Sequence, residues 1–486
     1  MNTLNEVSST LNASEILSRQ RKAFLKAEPP TLQQRKASLA KLRAAVIEYR
    51  SELQVAASED FGHRSYHETD VMELVGIVQS IDYLTRNLRR FMKPEKRHVS
   101  LFYRSASAHI EYQPKGVIGV MAPWNYPISL TLIPFATAIA AGNRAMLKPS
   151  ELTPRTSEVI SRMLAANFSI EEVAVILGGP EVGAEFSALP FDHLLFTGST
   201  PVGCKVMKAA SDNLVPLTLE LGGKSPAIVG RGHVNSRTMT SIAYGKLSNG
   251  GQTCVAPDYA LVHEDDLEIF IEEYNATVSR FYPNGPDCDD YTSIVNERHY
   301  ARLQGLLDSA RQNGARIIEL GVKSESAKNR TRTLVPTLVV GAKDDDAIMK
   351  EEIFGPILPV RTYRDIDEVI NYINERDRPL ALYYFGEKDA DCKKLLRRTT
   401  SGNVGINNTL IHVAQDDLPF GGIGPSGMGA YHGIEGFRSM SHAKGVFDQG
   451  RWNFPSFLHA PFGKFMELAL AITLGKKKLN LNYFSS

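Results

Sequence analysis

Short, continuous apolar runs that alternate with helical segments restrict the fold of this chain more than any other feature. Each run ends in a polar, proline-containing or glycine-rich stretch. The runs are Val117–Met121, Ala145–Leu147, Val173–Leu177, His193–Phe196 and Leu217–Leu221. Strands that are apolar along their whole length are typical of a parallel sheet covered on both faces by helices. We therefore expect an α/β fold.

The segments between these runs carry helix signals. Pro127–Ala141 is apolar, is long enough for a helix, and is followed by Gly142, a common helix terminator. At the next helix, we expect the Thr153 hydroxyl to cap the free N–H groups and Pro154 to occupy the first helical position.

The regions on either side extend this pattern. Ser14–Met92 shows helical spacing of apolar residues, and His98–Gln113 is rich in β-branched and aromatic residues and predicts two strands. A second α/β region runs from Gly222 to about Val404. We expect a strand near Val404–Val413 to join His98–Gln113 in a small β region. A chain of 486 residues is long enough for two or three domains.

Charge and composition exclude several classes of protein. The chain has 55 Lys and Arg against 54 Asp and Glu, without a face-sized basic cluster, so no nucleic-acid surface is expected. Lys476–Lys478 is a short basic run that we expect to be solvated. Phe465–Leu474 is apolar but too short to span a bilayer, and is expected to form an amphipathic helix packed on the protein rather than inserted in a membrane.

The cysteines do not form a metal or disulfide pattern. Cys204, Cys254, Cys288 and Cys392 are far apart, with no CxxC pair and no zinc-site spacing. A long chain with few cysteines indicates a reducing compartment, and no secretory signal is visible at the N-terminus. We expect a cytoplasmic protein without a bound metal.

One of these cysteines follows the stretch NGGQTC, Asn249 to Cys254. A single cysteine is more often a buried core residue than a catalyst. A core cysteine, however, usually lies within an apolar run, whereas this one follows polar residues and two adjacent glycines that favour a turn. Cys254 is therefore a candidate nucleophile.

A glycine-containing loop, Phe196–Gly203, follows a strand and opens a helix that Ser199 or Thr200 can cap. Free N–H groups at such a helix start favour a phosphate. The spacing of glycines resembles a P-loop, but Cys204 and Lys205 stand where a P-loop needs lysine and then serine or threonine. The loop indicates a dinucleotide pyrophosphate more than a nucleoside triphosphate, with a plain strand–helix turn as the structural alternative.

Seven motifs, taken together, resemble the NAD(P)-dependent aldehyde dehydrogenase family, in the family's order and spacing. They are PWNYP (123–127), KPSE (148–151), FTGS (196–199), LELGGKSP (219–226), GQTC (251–254), EEIFGP (351–356) and PFGG with SGMG (419–429). The resemblance covers about residues 18–443. Through APDY after the cysteine and SGMGAYHG, the chain resembles the class 3 branch, and within it the bacterial coniferyl aldehyde dehydrogenases.

The resemblance implies the catalytic residues. Cys254 is the nucleophile that forms a thiohemiacetal and then a thioester, and Asn125 completes an oxyanion hole with the Cys254 N–H. Glu220 is the general base; its structural alternative is a carboxylate that caps a neighbouring helix.

The resemblance also implies cofactor contacts along the whole dinucleotide. Lys148 and Glu151 hold the adenosine ribose, and Gly198 and Ser199 lie at the pyrophosphate. Nearer the reaction centre are Glu352 at the nicotinamide ribose, Phe354 beside the nicotinamide, and Trp124, which lines the site and can also be a core residue.

The expected fold is therefore that of an aldehyde dehydrogenase, an α/β fold in three parts. A Rossmann-like cofactor domain comprises residues 1–97 and 114–221, and a catalytic domain comprises 222–403. A β oligomerisation region comprises 98–113 and 404–445 and implies a homodimer, and 446–486 is a C-terminal tail.

The expected reaction is oxidation of coniferyl aldehyde to ferulate with NAD⁺, with NADP⁺ as a possible cofactor. Benzaldehyde-type or medium- to long-chain aliphatic aldehydes are the alternative substrates. A cofactor-free thiol hydrolase is an alternative of another class, but it needs a histidine base, and no histidine lies in a recognisable motif. A non-enzymatic binding protein would be expected to lack Cys254, Glu220 or Asn125, all of which are present.

Overall fold

The N-terminal part of the chain is helical, as the spacing of its apolar residues predicts. The computed structural model describes residues 12–100, 103, 105–322, 330–451 and 459–475. Reciprocal capping boxes start the first two helices, Asn12 with Glu15 and Thr31 with Gln34. The helices are Ala13–Lys26, Leu32–Glu48, Arg50–Phe61, Tyr66–Thr69 and Val75–Phe91, with a π-helical turn at Asp70–Leu74.

The predicted apolar runs form one six-stranded sheet. In sheet order, its strands are Gly427–Met428, Leu217–Glu220, His193–Thr197, Val117–Met121, Arg144–Lys148 and Val173–Val175. Neighbouring strands are parallel, except that Gly427–Met428 is antiparallel to its neighbour. Val117–Met121 and His193–Thr197 are buried at every residue, so both faces of the sheet are covered. The helices that follow these strands are Ser129–Ala141, Pro154–Asn167, Pro180–Ser187 and Thr200–Ser211.

The second α/β region contains a seven-stranded sheet. In sheet order, its strands are Arg316–Glu319, Thr337–Val340, Ile357–Tyr363, Tyr259–His263, Pro226–Val229, Ala381–Phe385 and Asn403–Ile406. All neighbours are parallel except the first two strands. The helices are Ser236–Leu247, Leu267–Phe281, Glu297–Gln312, Ala347–Lys350, Ile366–Asn374 and Ala390–Arg398, with 3-10 turns at Ser248–Gly251 and Glu264–Asp266.

The six-stranded sheet brings three sequence motifs to one edge. Lys148, Thr197 and Glu220 are each the last residue of a strand, and their strands run in the same direction. In open parallel sheets, ligands bind beyond the carboxyl ends of the strands. The parallel connections therefore place residues from distant parts of the sequence at a single edge.

Two predicted helix caps differ in the structure. Thr153 and Ser199 are N-cap residues, but neither side chain makes a capping hydrogen bond. The Thr153 hydroxyl is buried without a hydrogen-bond partner among the described residues, and Thr200 donates to the Pro425 carbonyl instead. Residue type favours a cap, but the side-chain rotamer and the neighbouring loop decide whether the bond forms.

A small three-stranded sheet lies in a compact unit of its own, formed by residues 92–113 and 442–486; residues 1–91 and 114–441 form the other unit. Its strands are Glu95–Arg97, Ser107–Pro114 and Ser441–Asp448. The expected partner near Val404–Val413 was wrong, because Asn403–Ile406 pairs with Ala381–Tyr384 in the seven-stranded sheet. The helix Ala390–Arg398 supplies the crossover for that parallel pairing, which strand propensity alone does not reveal.

The first strand of this small sheet also lies earlier than predicted. Residues 98–100 and 105 are outside strands, and residues 101, 102 and 104 lie outside the described residues. The remaining C-terminal elements are the helices Gly433–Ser439 and Lys464–Thr473. The second of these confirms a helix within Phe465–Leu474; none of its residues is fully buried, and Met466, Leu468, Ala469 and Ala471 are half-buried. No helix among the described residues is long and apolar enough to cross a membrane, and Lys476–Lys478 lie outside them.

Candidate active site

The loop before Cys254 consists of three successive residues in the left-handed backbone region. Asn249, Gly250 and Gly251 have φ values of 54°, 59° and 76°. A Cβ atom on Gly251 would lie 2.3 Å from the carbonyl oxygen of Gly355, and its φ alone disfavours any other residue. The two glycines therefore let the backbone turn tightly against the loop that contains Gly355 and expose the thiol beyond it.

Uncharged side chains hold this loop in place. Asn249 Nδ2 donates to the carbonyl oxygens of Asn125 at 2.8 Å and Gln252 at 3.2 Å, and Asn125 Nδ2 donates to the Gln252 carbonyl at 3.1 Å. The Tyr126 and Thr253 hydroxyls are hydrogen-bonded at 2.7 Å. The PWNYP and GQTC motifs are thus joined directly, and Asn125 lies against the cysteine loop.

The Cys254 thiol is half-buried between two carboxyl groups. Burial, followed by the charges of Glu352 and Glu220, raises its pKa to about 12. Backbone N–H groups of Cys254 and Val255 oppose that shift. Carboxyl groups, rather than an imidazole, therefore dominate the charge around this thiol and favour its protonated form.

Glu220 ends the strand Leu217–Glu220 and is 3% exposed. Neither carboxyl oxygen has a hydrogen-bond partner among the described residues, and burial raises the pKa of Glu220 well above its usual value. A Cβ atom on Gly421 would lie 3.2 Å from Glu220 Oε1, so the carboxyl group faces glycine backbone. Since neither oxygen accepts a helix N–H, the structural alternative of a helix cap was wrong.

Three charged side chains clamp the EEIFGP loop that carries Glu352. Lys224 Nζ donates to the Ile348 and Glu351 carbonyls, each at 2.9 Å. Asp258 Oδ1 accepts from the Ile353 N–H at 3.0 Å, and Arg302 donates to the Glu352 and Ile353 carbonyls. Lys224 and Asp258 also form an ion pair. Residues of the LELGGKSP and APDY segments thus fix the loop from two sides.

The Glu352 carboxyl group is only partly satisfied within this clamp. It accepts from the Gly223 N–H, whereas its Oε1 atom is buried without a partner among the described residues. Burial, followed by the charge of Asp258, raises the pKa of Glu352 to about 8. A Cβ atom on Gly222 would lie 2.1 Å from Glu352 Oε2, so a glycine is needed beside this carboxyl group.

Trp124 joins an aromatic cluster next to the same loop. Its ring centroid lies 5.4 Å from that of Phe354, 6.2 Å from Phe61 and 5.1 Å from the His299 imidazole. Trp124 and Phe354 are half-buried, and Phe354 has a φ of 53°. Trp124 therefore packs on the buried Phe61, as its core interpretation expects, and its role in lining the site stays a prediction.

The remaining predicted residues lie around the carboxyl edge of the six-stranded sheet. Lys148 is 4% exposed, and its ammonium donates to the Gly178 carbonyl at 2.9 Å and lies 3.5 Å from a Glu151 oxygen. The Glu151 side chain is 39% exposed. Gly198 and Ser199 form the turn before the helix Thr200–Ser211, where Gly198 N–H donates to the Glu220 carbonyl. That bond links the turn to the strand that ends in Glu220.

Comparison with known proteins identifies the family. The aldehyde dehydrogenase family model matches residues 6–446. The chain belongs to the aldehyde dehydrogenase family. It is 46% identical to a probable coniferyl aldehyde dehydrogenase of Caulobacter vibrioides, over 94% of this chain and 96% of that protein. It is 45% identical to a coniferyl aldehyde dehydrogenase of a Pseudomonas species, over 94% and 95%.

A solved structure shows the same fold. The substrate-bound state of Staphylococcus aureus AldH matches with a TM-score of 0.88 and 36% identity, over 96% of this chain and all of that one. The predicted aldehyde dehydrogenase fold is thus confirmed, and the protein is an NAD(P)-dependent enzyme of aldehyde oxidation. The alternatives of a cofactor-free hydrolase and of a binding protein do not fit this family.

The residues of this aldehyde dehydrogenase fit a dinucleotide. The orphaned Glu352 Oε1 is a buried acceptor suited to a ribose hydroxyl, and Gly222 leaves space beside it. The first N–H groups of the helix Thr200–Ser211 have no side-chain cap and suit a pyrophosphate. Among the described residues, no cluster of His, Cys, Asp and Glu side chains could hold a metal ion.

The residues that hold the active-site loops of this aldehyde dehydrogenase in place were not predicted from the sequence. Lys224 and Asp258 lie inside or directly after recognised motifs, and a charged residue within a motif could have drawn attention to them. His412 and His432 are buried rings whose nitrogens have no partner among the described residues, and burial lowers the pKa of each to about 4. No periodic signal distinguishes those histidines.

A fully buried ion pair supports the loop that carries Asn125. Arg64 Nη1 and Glu73 Oε1 lie 2.7 Å apart, and both side chains have no exposed surface. The other Glu73 oxygen accepts from the N–H groups of Ile128 and Ser129 at 2.8 and 2.9 Å. Glu73 therefore satisfies the start of the helix Ser129–Ala141, directly after the PWNYP motif.

Proposed function

We propose that this aldehyde dehydrogenase oxidises coniferyl aldehyde to ferulate with NAD⁺, using Cys254 as nucleophile and Glu220 as base. The observation that carries the proposal is the pairing of a half-buried thiol with a buried, unpartnered carboxyl group. The substrate is inferred from the relatives named for coniferyl aldehyde, which share 45–46% identity with the chain.

In the first step, Cys254 Sγ bonds to the aldehyde carbon, and the thiol proton passes to Glu220 directly or through water. The carbonyl oxygen becomes an oxyanion that accepts hydrogen bonds from the Cys254 N–H and Asn125. The Asn125 amide has two N–H groups and donates one to the Gln252 carbonyl, which leaves the other for the oxyanion. One such donor is typically worth about 10²–10³ in rate.

In the second step, the oxyanion re-forms the carbonyl bond as the thiohemiacetal carbon loses a hydride, and a thioester remains on Cys254. A nicotinamide cofactor, when bound, would supply the hydride acceptor. Glu352 would hold the nicotinamide ribose, and Phe354 and Trp124 would border the ring. Glu220 releases the thiol proton to solvent, and its carboxylate then takes a proton from the water that attacks the thioester. The acid leaves as the Cys254 sulfur takes up a proton and becomes a thiol again. A raised carboxyl pKa suits a base that works near neutral pH.

For the cofactor, we propose a preference for NAD⁺ over NADP⁺. Glu151 is accessible beside Lys148, and its carboxylate can accept from ribose hydroxyls while repelling a 2′-phosphate. Gly198 and Ser199 would accommodate the pyrophosphate. The measurement is kcat/KM with each cofactor, and a clear preference for NADP⁺ would contradict the role given to Glu151.

The test of substrate class is a panel of aldehydes assayed at equal enzyme concentration for formation of the reduced cofactor. Coniferyl aldehyde is expected to exceed hexanal and benzaldehyde in kcat/KM, and Cys254→Ala is the inactive control. An apolar pocket discriminates by only about 1–3 kcal/mol for each methylene-sized difference, so several aldehydes should react. A more than tenfold advantage for hexanal would assign the enzyme to aliphatic aldehydes instead.

We also propose a cytoplasmic homodimer. Residues 1–97 and 114–221 would form the cofactor domain, 222–403 the catalytic domain, and 98–113 with a C-terminal segment the dimerisation region. Free cysteines at 204, 254, 288 and 392 support a reducing compartment. The strand Ser441–Asp448 is at the edge of its sheet and can pair with a second copy. Light scattering on the purified protein measures the oligomeric state, and a monomeric mass would contradict the dimer.

A further inference from the structure

A buried lysine without a partner lies next to the candidate active site. Lys246 belongs to the helix Ser236–Leu247 and is 1% exposed. Its ammonium nitrogen has no hydrogen-bond partner among the described residues. Burial of an unpaired charge is costly, and buried lysines are usually paired. Lys246 therefore needs a function or a partner that the resting structure does not show.

The surroundings of Lys246 identify that partner. The charged groups around it are Asp258, Lys224 and Glu352. Each oxygen of Asp258 already accepts a hydrogen bond, one from the Lys224 ammonium and the other from the Ile353 N–H. Glu352 Oε1, by contrast, has no partner. An unpaired cation and an unpaired carboxyl oxygen therefore share one buried region.

Backbone packing joins the two elements that carry these groups. A Cβ atom on Gly251 would lie 2.3 Å from the Gly355 carbonyl oxygen and 2.8 Å from the Lys246 carbonyl oxygen. Gly251 is thus enclosed between the end of the lysine helix and the loop that carries Glu352. The clamp formed by Lys224, Asp258 and Arg302 prevents that loop from moving away.

We propose that Lys246 is a positioning residue that pairs with the free oxygen of Glu352 and presents its carboxylate to the ribose of the nicotinamide cofactor. This inference rests on the proposed role of Glu352. It adds that Lys246, whose ammonium has no other partner among the described residues, supports the ionised carboxylate together with the charges of Lys224 and Arg302.

Electrostatics agrees with this pairing. Burial lowers the pKa of Lys246 to about 8, and burial and Asp258 raise the pKa of Glu352 to about 8. The charges of Asp258 and Glu352 favour the ammonium, while Lys224 opposes it, and the charges of Lys224 and Arg302 favour the Glu352 carboxylate. If Lys246 were neutral, the pKa of Glu352 would rise further. At a fixed pH below that pKa, each further unit of pKa lowers the ionised fraction of Glu352 about tenfold.

The experiment is a double-mutant cycle read by calorimetric titration of NAD⁺ into the enzyme without aldehyde. At pH 7, Lys246→Met is expected to raise the NAD⁺ dissociation constant about tenfold for each unit by which the pKa of Glu352 rises. The increase should be smaller at higher pH, where Glu352 is ionised in the variant as well. Lys246→Arg should retain most of the affinity. In a Glu352→Gln background, Lys246→Met should have no further effect, because its partner can no longer ionise.

Controls separate this inference from the proposed function. Lys393→Met removes a positive charge from an exposed position and should leave the affinity unchanged. Thermal unfolding of Lys246→Met, compared with that of the unaltered enzyme, shows whether the variant is folded before its affinity is measured. An equal loss of affinity with and without Glu352, or no loss at all, would overturn the role of Lys246. Absence of NAD⁺ binding in the unaltered enzyme would instead overturn the proposed function.

Should Lys246→Met fail to fold, Lys246→Gln keeps a polar side chain and removes the charge. Its NAD⁺ affinity is expected to be weaker at pH 7 and to approach that of the unaltered enzyme as pH rises. A pH profile parallel to that of the unaltered enzyme would contradict the proposed pairing.

Discussion

The reactivity of Cys254 without cofactor is the most direct measure of its environment. Burial and the neighbouring Glu352 and Glu220 raise the pKa of this thiol to about 12. A free cysteine has a pKa near 8.5, so about a quarter of it is thiolate at pH 8. With a pKa of about 12, roughly one Cys254 in 10⁴ is thiolate at that pH, which predicts alkylation about 10³-fold slower than that of a small thiol.

The assay is alkylation by iodoacetamide at a series of pH values, with the modified cysteine identified by peptide mass spectrometry. Cys254→Ala shows the background from the other cysteines, and N-acetylcysteine is the reference thiol. The rate at Cys254 should rise about tenfold for each pH unit between 7 and 10, because only the thiolate reacts.

Removal of one neighbouring carboxyl group tests the cause of the shift. Glu352→Gln should accelerate alkylation of Cys254 above the pKa of Glu352, about 8, where that group is ionised, and should have little effect below it. An alkylation rate that levels off between pH 8 and 9 in the unaltered enzyme would show an ordinary thiol and refute the reasoning. It would also remove the need for a base before the first step.

Further predictions concern the base, the cofactor pocket and the buried ion pair. Glu220→Gln should form about one equivalent of reduced cofactor per site in a slow burst that speeds up as pH rises, and should then stall, in rapid-mixing absorbance; unchanged steady-state turnover at every pH would return Glu220 to a structural role. Gly222→Ala should weaken NAD⁺ binding in calorimetry by displacing Glu352, since its Cβ would lie 2.1 Å from Oε2, and equal affinity would contradict that contact. Glu73→Ala should lower the free energy of unfolding in urea by about 3–5 kcal/mol, because Arg64 would lose its partner. A loss under 1 kcal/mol would show that this pair adds little.

The strands of the six-stranded sheet could be predicted from the sequence because their signal is local. Val117–Met121 is apolar at every position, and such a run can be buried on both faces only inside a parallel sheet. The tight turn before Cys254 could be predicted as well, since two adjacent glycines indicate backbone angles that other residues avoid. Both features depend on a few neighbouring residues.

The supporting contacts could not be predicted, because they join residues that are far apart in the chain. Arg302 reaches the carbonyl of Glu352 across 50 positions, and Ile353 donates to Asp258 across 95. A charged side chain in a sequence is compatible with a solvated surface as much as with a buried clamp. The predicted pairing of the strand near Val404 was wrong for the same reason, since β-propensity does not specify the strand with which a segment pairs.

The left-handed turn at Asn249–Gly251 limits which parts of the enzyme can be redesigned. Any side chain on Gly251 would collide with the backbone of another loop, so no compensating rotamer exists for a substitution there. Attempts to retarget the enzyme toward other aldehydes should therefore leave this turn untouched.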